Sequence, residues 1–199
     1  LDRKFQILYE NNFSEEALNK LKIKYKYILL KLDVNCRNTQ NILSEACLNT
    51  GFVKQECQKQ GGKFPEMDFY NSTEELVAKV GVILKIFRSE GRENDIAIIV
   101  DSVRLKDELR NSISGLIDLN RLKNKPKGNI FIDTDRRFKG LDCYAIIYIS
   151  TDLDFDDEAL RSRIYVAETR AKGFLYQIFN EKDRQPLNDF RSSNFRNII

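Results

Sequence analysis

Short apolar runs alternate along this chain with segments whose apolar positions recur every three to four residues. Residues 25–32 (YKYILLKL), 95–100 (DIAIIV), 129–134 (NIFIDT), 144–150 (YAIIYIS) and 173–179 (GFLYQIF) are brief and rich in β-branched or aromatic side chains. Runs of that kind, with no polar alternation, predict strands covered on both faces. EMDFY at 66–70 is a weaker strand of the same sort.

Between them, NTQNILSEACLNTG places Ile42, Leu43, Ala46 and Cys47 on one helical face, with Asn38 or Thr39 as the cap and Gly51 as the stop. STEELVAKVGVILKIFRSEG opens on a Ser72–Glu75 capping box, carries Leu76, Val77, Val80, Leu84 and Phe87 at helical spacing, and stops at Gly91. A third helix runs through Leu105, Leu109 and Ile113, and a fourth contains Arg161 to Arg170. Strands and helices in this alternation predict a doubly wound α/β domain with a mostly parallel sheet and helices on both faces. Residues 25–180 form that domain, residues 1–24 an N-terminal extension, and residues 181–199 a polar, peripheral tail.

Composition narrows the chemistry. With 199 residues, 42% hydrophobic and 32% charged, the chain has the make-up of a soluble globular protein with one sizeable core. No apolar run approaches the ~18 residues of a membrane span, so a cytoplasmic protein is expected. The net charge of +3 is too small to identify a partner. There is no histidine, which removes histidine bases, Ser-His-Asp sites and histidine metal ligands. The four cysteines form no CxxC pair and are expected to be buried, reduced thiols. No metal site is expected in this chain.

The glycine pair in QGGKFPE (Gly61, Gly62) lacks the spacing and the Ser or Thr of a phosphate loop, and no GxGxxG occurs. The domain therefore lacks its own P-loop. Three polar stretches remain, each expected at the carboxyl end of a strand, where open α/β sheets bind ligands: Arg37 in LDVNCRNTQNI, the group Thr134, Arg136, Arg137, Lys139, Gly140 and Asp142 in IDTDRRFKGLD, and Arg170 in RIYVAETRAK. Singly, each arginine is more simply explained as a solvated or salt-bridged surface residue, or, for Arg170, as a cation near a helix C-terminus.

Taken in order, the three stretches resemble motifs of the UvrD/Rep-like superfamily 1 DNA helicases. NCRNTQNI resembles motif IV (N-Y-R-[SN]-T-x-x-I), TDRRFKGLD resembles motif V (T-x-H-x-x-K-G-L-E), and RIYVAETRAK resembles motif VI (L-x-Y-V-A-x-T-R-A-[KR]). The resemblance covers residues 25–179 and implies the second, C-terminal RecA-like motor domain of such an ATP-dependent helicase or translocase, a P-loop NTPase-type sheet. ATP and Mg²⁺ would be held mainly by an upstream P-loop RecA-like domain of the same protein, which would carry the Mg²⁺ ligands.

By the same resemblance, Arg37 and Arg170 would reach the γ-phosphate as arginine fingers, Asp142 would stand where the family has a ribose-contacting glutamate, and Gly140 would let the backbone approach the nucleotide. Thr134, Arg136 and Lys139 would contact single-stranded DNA, with RNA also compatible. FQILY resembles the end of motif III, making Gln6 a γ-phosphate sensor and residues 1–24 the tail of the first motor domain. NCRNT is closest to members fused to an upstream nuclease-related domain. The competing expectation is a degenerate helicase-like domain that binds nucleic acid or protein without an ATPase role, which the acidic loop DLDFDDE would suit.

Overall fold

The computed structural model describes residues 15–25, 34–120, 128–138 and 140–195. Its centre is a six-stranded, all-parallel sheet in the order β3-β8-β7-β4-β6-β5. The strands are β3 (Glu66–Tyr70), β4 (Ile96–Val100), β5 (Leu116–Ile117), β6 (Ile130–Thr134), β7 (Cys143–Ser150) and β8 (Ala171–Asn180). A separate parallel pair joins β1 (Val34–Thr39) to β2 (Glu56–Lys59).

Side chains alternate across a strand, so each buried strand feeds two cores. Ile96, Ile98 and Val100 of β4 face one side with Ile147 and Ile149 of β7, and are covered by α3 (Thr73–Ser89) and α4 (Val103–Ser112). Ala97 and Ile99 face the other side with Ile146 and Tyr148. They are covered by α2 (Gln40–Thr50), α5 (Glu158–Glu168) and α6 (Arg184–Asn194). The doubly wound α/β expectation holds, with helices on both faces of an RecA-like sheet.

The local signals hold in large part. Thr39 caps α2 without a side-chain bond, and Gly51 closes it at φ 71. Ser72 accepts from the Glu75 amide as expected, but Glu75 returns its carboxylate to the Asn71 amide at 2.9 Å rather than to Ser72, so the box is closed one residue early.

Three of these expectations change. Tyr25 ends α1 (Glu15–Tyr25) instead of opening a strand, and the rest of the 25–32 run lies outside the described residues. Helix α5 stops at Glu168, so Arg170 is not helical but sits in the turn before β8. Only Cys47 is buried; Cys36 is exposed and Cys57 and Cys143 are half-buried, because those three lie in the thinly covered β1–β2 pair or at the first residue of β7. No disulfide joins the four.

The polar segment after Asn180 folds as a 3₁₀ turn and then α6, which packs back on the domain. Leu187 is fully buried, Phe190 stacks on Phe155 with ring centroids 4.4 Å apart, and Arg191 pairs with Glu45 of α2 at 2.5 Å. A sparse apolar face was enough, because the second core leaves one site between α2 and the 152–157 loop for it to fill. Leu187→Ala is therefore expected to lower unfolding free energy by about 2–4 kcal/mol, measured by urea denaturation. A change under about 0.5 kcal/mol, typical of an exposed position, would show that α6 does not support the core.

Candidate functional site

The site is set by backbone hydrogen bonding at the amino edge of the sheet. Strands β7 and β8 pair in parallel with Cys143 opposite Ala171, so the residues preceding them, Asp142 and Arg170, lie side by side. The Cys143 amide donates to the Arg170 carbonyl at 3.1 Å, which fixes their relative height.

Strand β1 arrives against the same edge. The Asn38 side-chain amide donates to the carbonyls of Thr169 (2.8 Å) and Ala171 (2.6 Å), the two residues flanking Arg170. Asn38 is itself held from behind. Its side-chain oxygen accepts from Asn35 Nδ2 at 3.0 Å, while Asn35 Oδ1 accepts the amides of Arg37 (2.9 Å) and Asn38 (3.0 Å). Asn38 is 1% exposed, so both donor bonds are made away from water and are costly to lose. One consequence is that Arg37, next to Asn38, is delivered to Arg170.

The charges at this edge are unevenly matched. Asp142 accepts from Lys172 Nζ at 2.7 Å and lies 3.9 Å from Arg37 Nε. Arg37 is exposed, and its carbonyl accepts from Lys59 at 2.9 Å. Arg170 is only 4% exposed, and its Nε has no hydrogen-bond partner among the described residues. Burial, then the neighbouring Arg37, press its guanidinium below the ordinary arginine value, with Asp142 opposing them. Arg37 and Lys172 thus share one carboxylate, and Arg170, the most buried of the three cations, is left the least compensated. Such an edge is suited to an incoming polyanion.

The sequence-derived residues separate into two groups. Arg37, Asp142 and Arg170 come together at the amino edge, not at the carboxyl ends of strands as expected; Arg37 is inside β1, and Asp142 and Arg170 precede β7 and β8. The reason is that residues 135–138 leave β6 at the carboxyl edge, with Phe138 buried in the same core as Ala97 and Ile99, whereas residues 140–142 enter β7 at the opposite edge. Gly140 lies on this arrival at φ 84; a Cβ there would meet nothing within 4 Å, so its turn, not crowding, calls for glycine.

Thr134 and Arg136 stay at the carboxyl edge, roughly 20 Å away at ~3.3 Å per strand residue. Thr134 is 7% exposed, and its carbonyl accepts the amides of Arg137 and Phe138, both at 3.0 Å. Arg136 is exposed, whereas Arg163 reaches across from α5 to Asp135 at 2.6 Å and to the Asp101 carbonyl at 3.0 Å. Asp101 in turn accepts from Ser150 and Thr151. Lys139 and Gln6 lie outside the described residues.

Sequence reasoning missed Asn35, Asn38 as a clamp, Lys59 and Lys172. Asn38 stood out only as a helix cap, since nothing in spacing announces a bond to a strand more than a hundred residues away. Among the described residues no group of three or more histidine, cysteine or carboxylate side chains is placed to hold a metal ion. No described helix is long and apolar enough to cross a membrane.

No protein-family model matches this chain, and no curated protein matches it. Among solved structures, the C-terminal domain of a possible DNA helicase from Lactobacillus plantarum WCFS1 is similar, with TM-score 0.54 and 19% identity over 73% of this chain and 88% of that one. At that identity the likeness is one of fold.

If Arg170 is held ready for a ligand, it is held at a cost. Arg170→Leu is expected to raise unfolding free energy by about 1–3 kcal/mol, since it removes an uncompensated buried charge. Asn38→Ala should lower it by a similar amount by stranding two carbonyls. Urea titrations of both variants check the pair, and a destabilised Arg170→Leu would mean that the guanidinium is satisfied within the fold.

Proposed function

We propose that this chain is the C-terminal motor domain of an ATP-dependent superfamily 1 DNA helicase or translocase, and that it presents Arg37 and Arg170 to a triphosphate held by an upstream P-loop domain. The observation that carries this reading is the buried, partner-poor guanidinium of Arg170, clamped by Asn38 beside Arg37. The fold likeness to the C-terminal domain of a possible DNA helicase supports it.

Bound ATP would supply the phosphoanhydride bond whose cleavage drives the cycle. What this chain contributes is charge and timing. Two planar guanidinium groups can spread donors over phosphate oxygens and stabilise the charge of the transferring phosphoryl group. Asp142 and Lys172 form the counter-set: with the cleft open, Asp142 faces both Arg37 and Lys172, and an arriving polyanion competes with it for them. Because the arginines stand on a separate domain, hydrolysis is conditional on the cleft closing. The Mg²⁺ ligands belong to the upstream domain in this reading.

Single-stranded DNA, or RNA, would meet the carboxyl edge through Arg136, with Thr134 contributing where its 7% exposure allows. The same edge carries Asp101, Asp135 and the acidic 152–158 loop. That negative rim favours a second reading, a helicase-like domain that contacts a protein and has no ATPase role.

The two readings separate in one set of assays. The purified chain should show no ATP turnover with or without single-stranded DNA. In the full-length protein, Arg170→Ala should lower kcat about 10³-fold or more, the usual worth of an arginine finger, while nucleotide affinity changes far less. Unchanged turnover in that variant removes Arg170 from the chemistry and favours the binding module.

A further inference from the structure

Two residues before Arg170, the last residue of α5 carries a carboxyl group into the protein interior. Glu168 is 0% exposed, and its Oε1 accepts from Asn49 Nδ2 of α2 at 2.9 Å and from Gln177 Nε2 of β8 at 2.8 Å. Both partners are 1% exposed. Two oxygens of this group are left buried without a partner, Glu168 Oε2 and Gln177 Oε1.

These two vacancies are complementary. A carboxyl and a primary amide already joined through one oxygen and one nitrogen can close a second bond between their remaining oxygens, which here are the two unpartnered ones. A proton on the carboxyl would close the familiar two-bond acid–amide ring and satisfy both atoms at once. Reversing the amide would exchange the bond at Glu168 Oε1 for one at Oε2 and leave the Gln177 oxygen against Oε1, so one buried oxygen would still have no donor. We infer that Glu168 is held as a neutral acid, with its proton on Oε2 donated to Gln177 Oε1, and that this pair positions the Arg170 turn. The significance for catalysis rests on the function proposed above, but the pair itself does not.

The surroundings agree. Burial pushes the carboxyl from 4.5 up to about 8, with Glu45 adding to that, and the Asn49 and Gln177 donors and Arg191 opposing. Glu45 is ion-paired with Arg191 at 2.5 Å, and Arg191 also bonds Asn49 Oδ1. Cys47 of α2, pushed up to about 12 by burial, and Tyr148 of β7, raised well above the usual phenol value, complete the titratable groups that sense Glu168. Neither ionises in the window where Glu168 does.

Losing the proton would leave a charged oxygen facing the Gln177 carbonyl inside the second core. That would part the end of α5 from β8, on either side of Arg170. The folded form binds the proton more tightly than the unfolded chain, so this stability is full below about 4.5 and is lost as pH rises through about 8.

The test is NMR and urea denaturation on the purified chain and on Glu168→Gln, whose amide can make both bonds with no proton to lose. The Glu168 side-chain carbon should titrate near 8, and the Arg170 Nε–H signal should shift with the same midpoint in the wild type but not in Glu168→Gln. The urea midpoint of the wild type should fall relative to Glu168→Gln between pH 5 and pH 9. A Glu168 midpoint near 4.5, or parallel stability curves, overturns the neutral acid. A titrating Glu168 with a motionless Arg170 signal overturns the positioning role. Since no nucleotide is present, either failure is independent of the proposed ATPase role.

Discussion

The arrangement depends on one side-chain amide. Asn38 holds the carbonyls on either side of Arg170, and it does so from a strand that belongs to a different, two-stranded sheet. Without it, β1 loses the two hydrogen bonds that tie it to the Arg170 turn, and with them the hold that sets Arg37 beside Arg170. With it, like charges are brought close together, which no fold does for stability alone. Lys172 and Arg37 share Asp142, and Arg170 is left with a buried nitrogen that nothing bonds. The fold pays for this concentration of cations with the apolar burial of the two cores.

The sheet supplies the rigidity that such a site needs. Ile96 to Val100 are all at most 2% exposed, and the neighbouring β7 is equally enclosed from Ala145 onward. The two ends of this slab are each pinned: Asp135 is anchored to Arg163 at the carboxyl edge, Phe138 is buried in the second core, and Asp142 stands among the cations at the amino edge.

Much of the fold was legible because strand and helix signals were local. The DIAIIV run read as an enclosed strand, and of the expected stripe of α3, Leu76, Val80, Leu84 and Phe87 are buried while Val77 is only partly so. The site was half legible. Residue types and motif order picked out Arg37, Asp142 and Arg170, but not which edge of the sheet they occupy. That depends on the edge at which the chain enters β7, and a polar loop carries no period to show it. Helix α6 was missed for a related reason: Leu187 and Phe190 are too few to mark an amphipathic helix until the cavity they fill is known. Glu168 was invisible in sequence, since an isolated acid within YVAETRA reads as solvent-facing until burial and the Gln177 amide are seen.

The central claim is that Arg37 and Arg170 act on one anion. It is tested most directly by titrating inorganic triphosphate into the isotope-labelled chain and following the side-chain Nε–H signals of both arginines. The account predicts that the two signals move along a single saturation curve, and that Arg170→Leu weakens the response of Arg37. Signals that saturate at different concentrations, or an Arg170 signal that does not respond while Arg37 does, would contradict it.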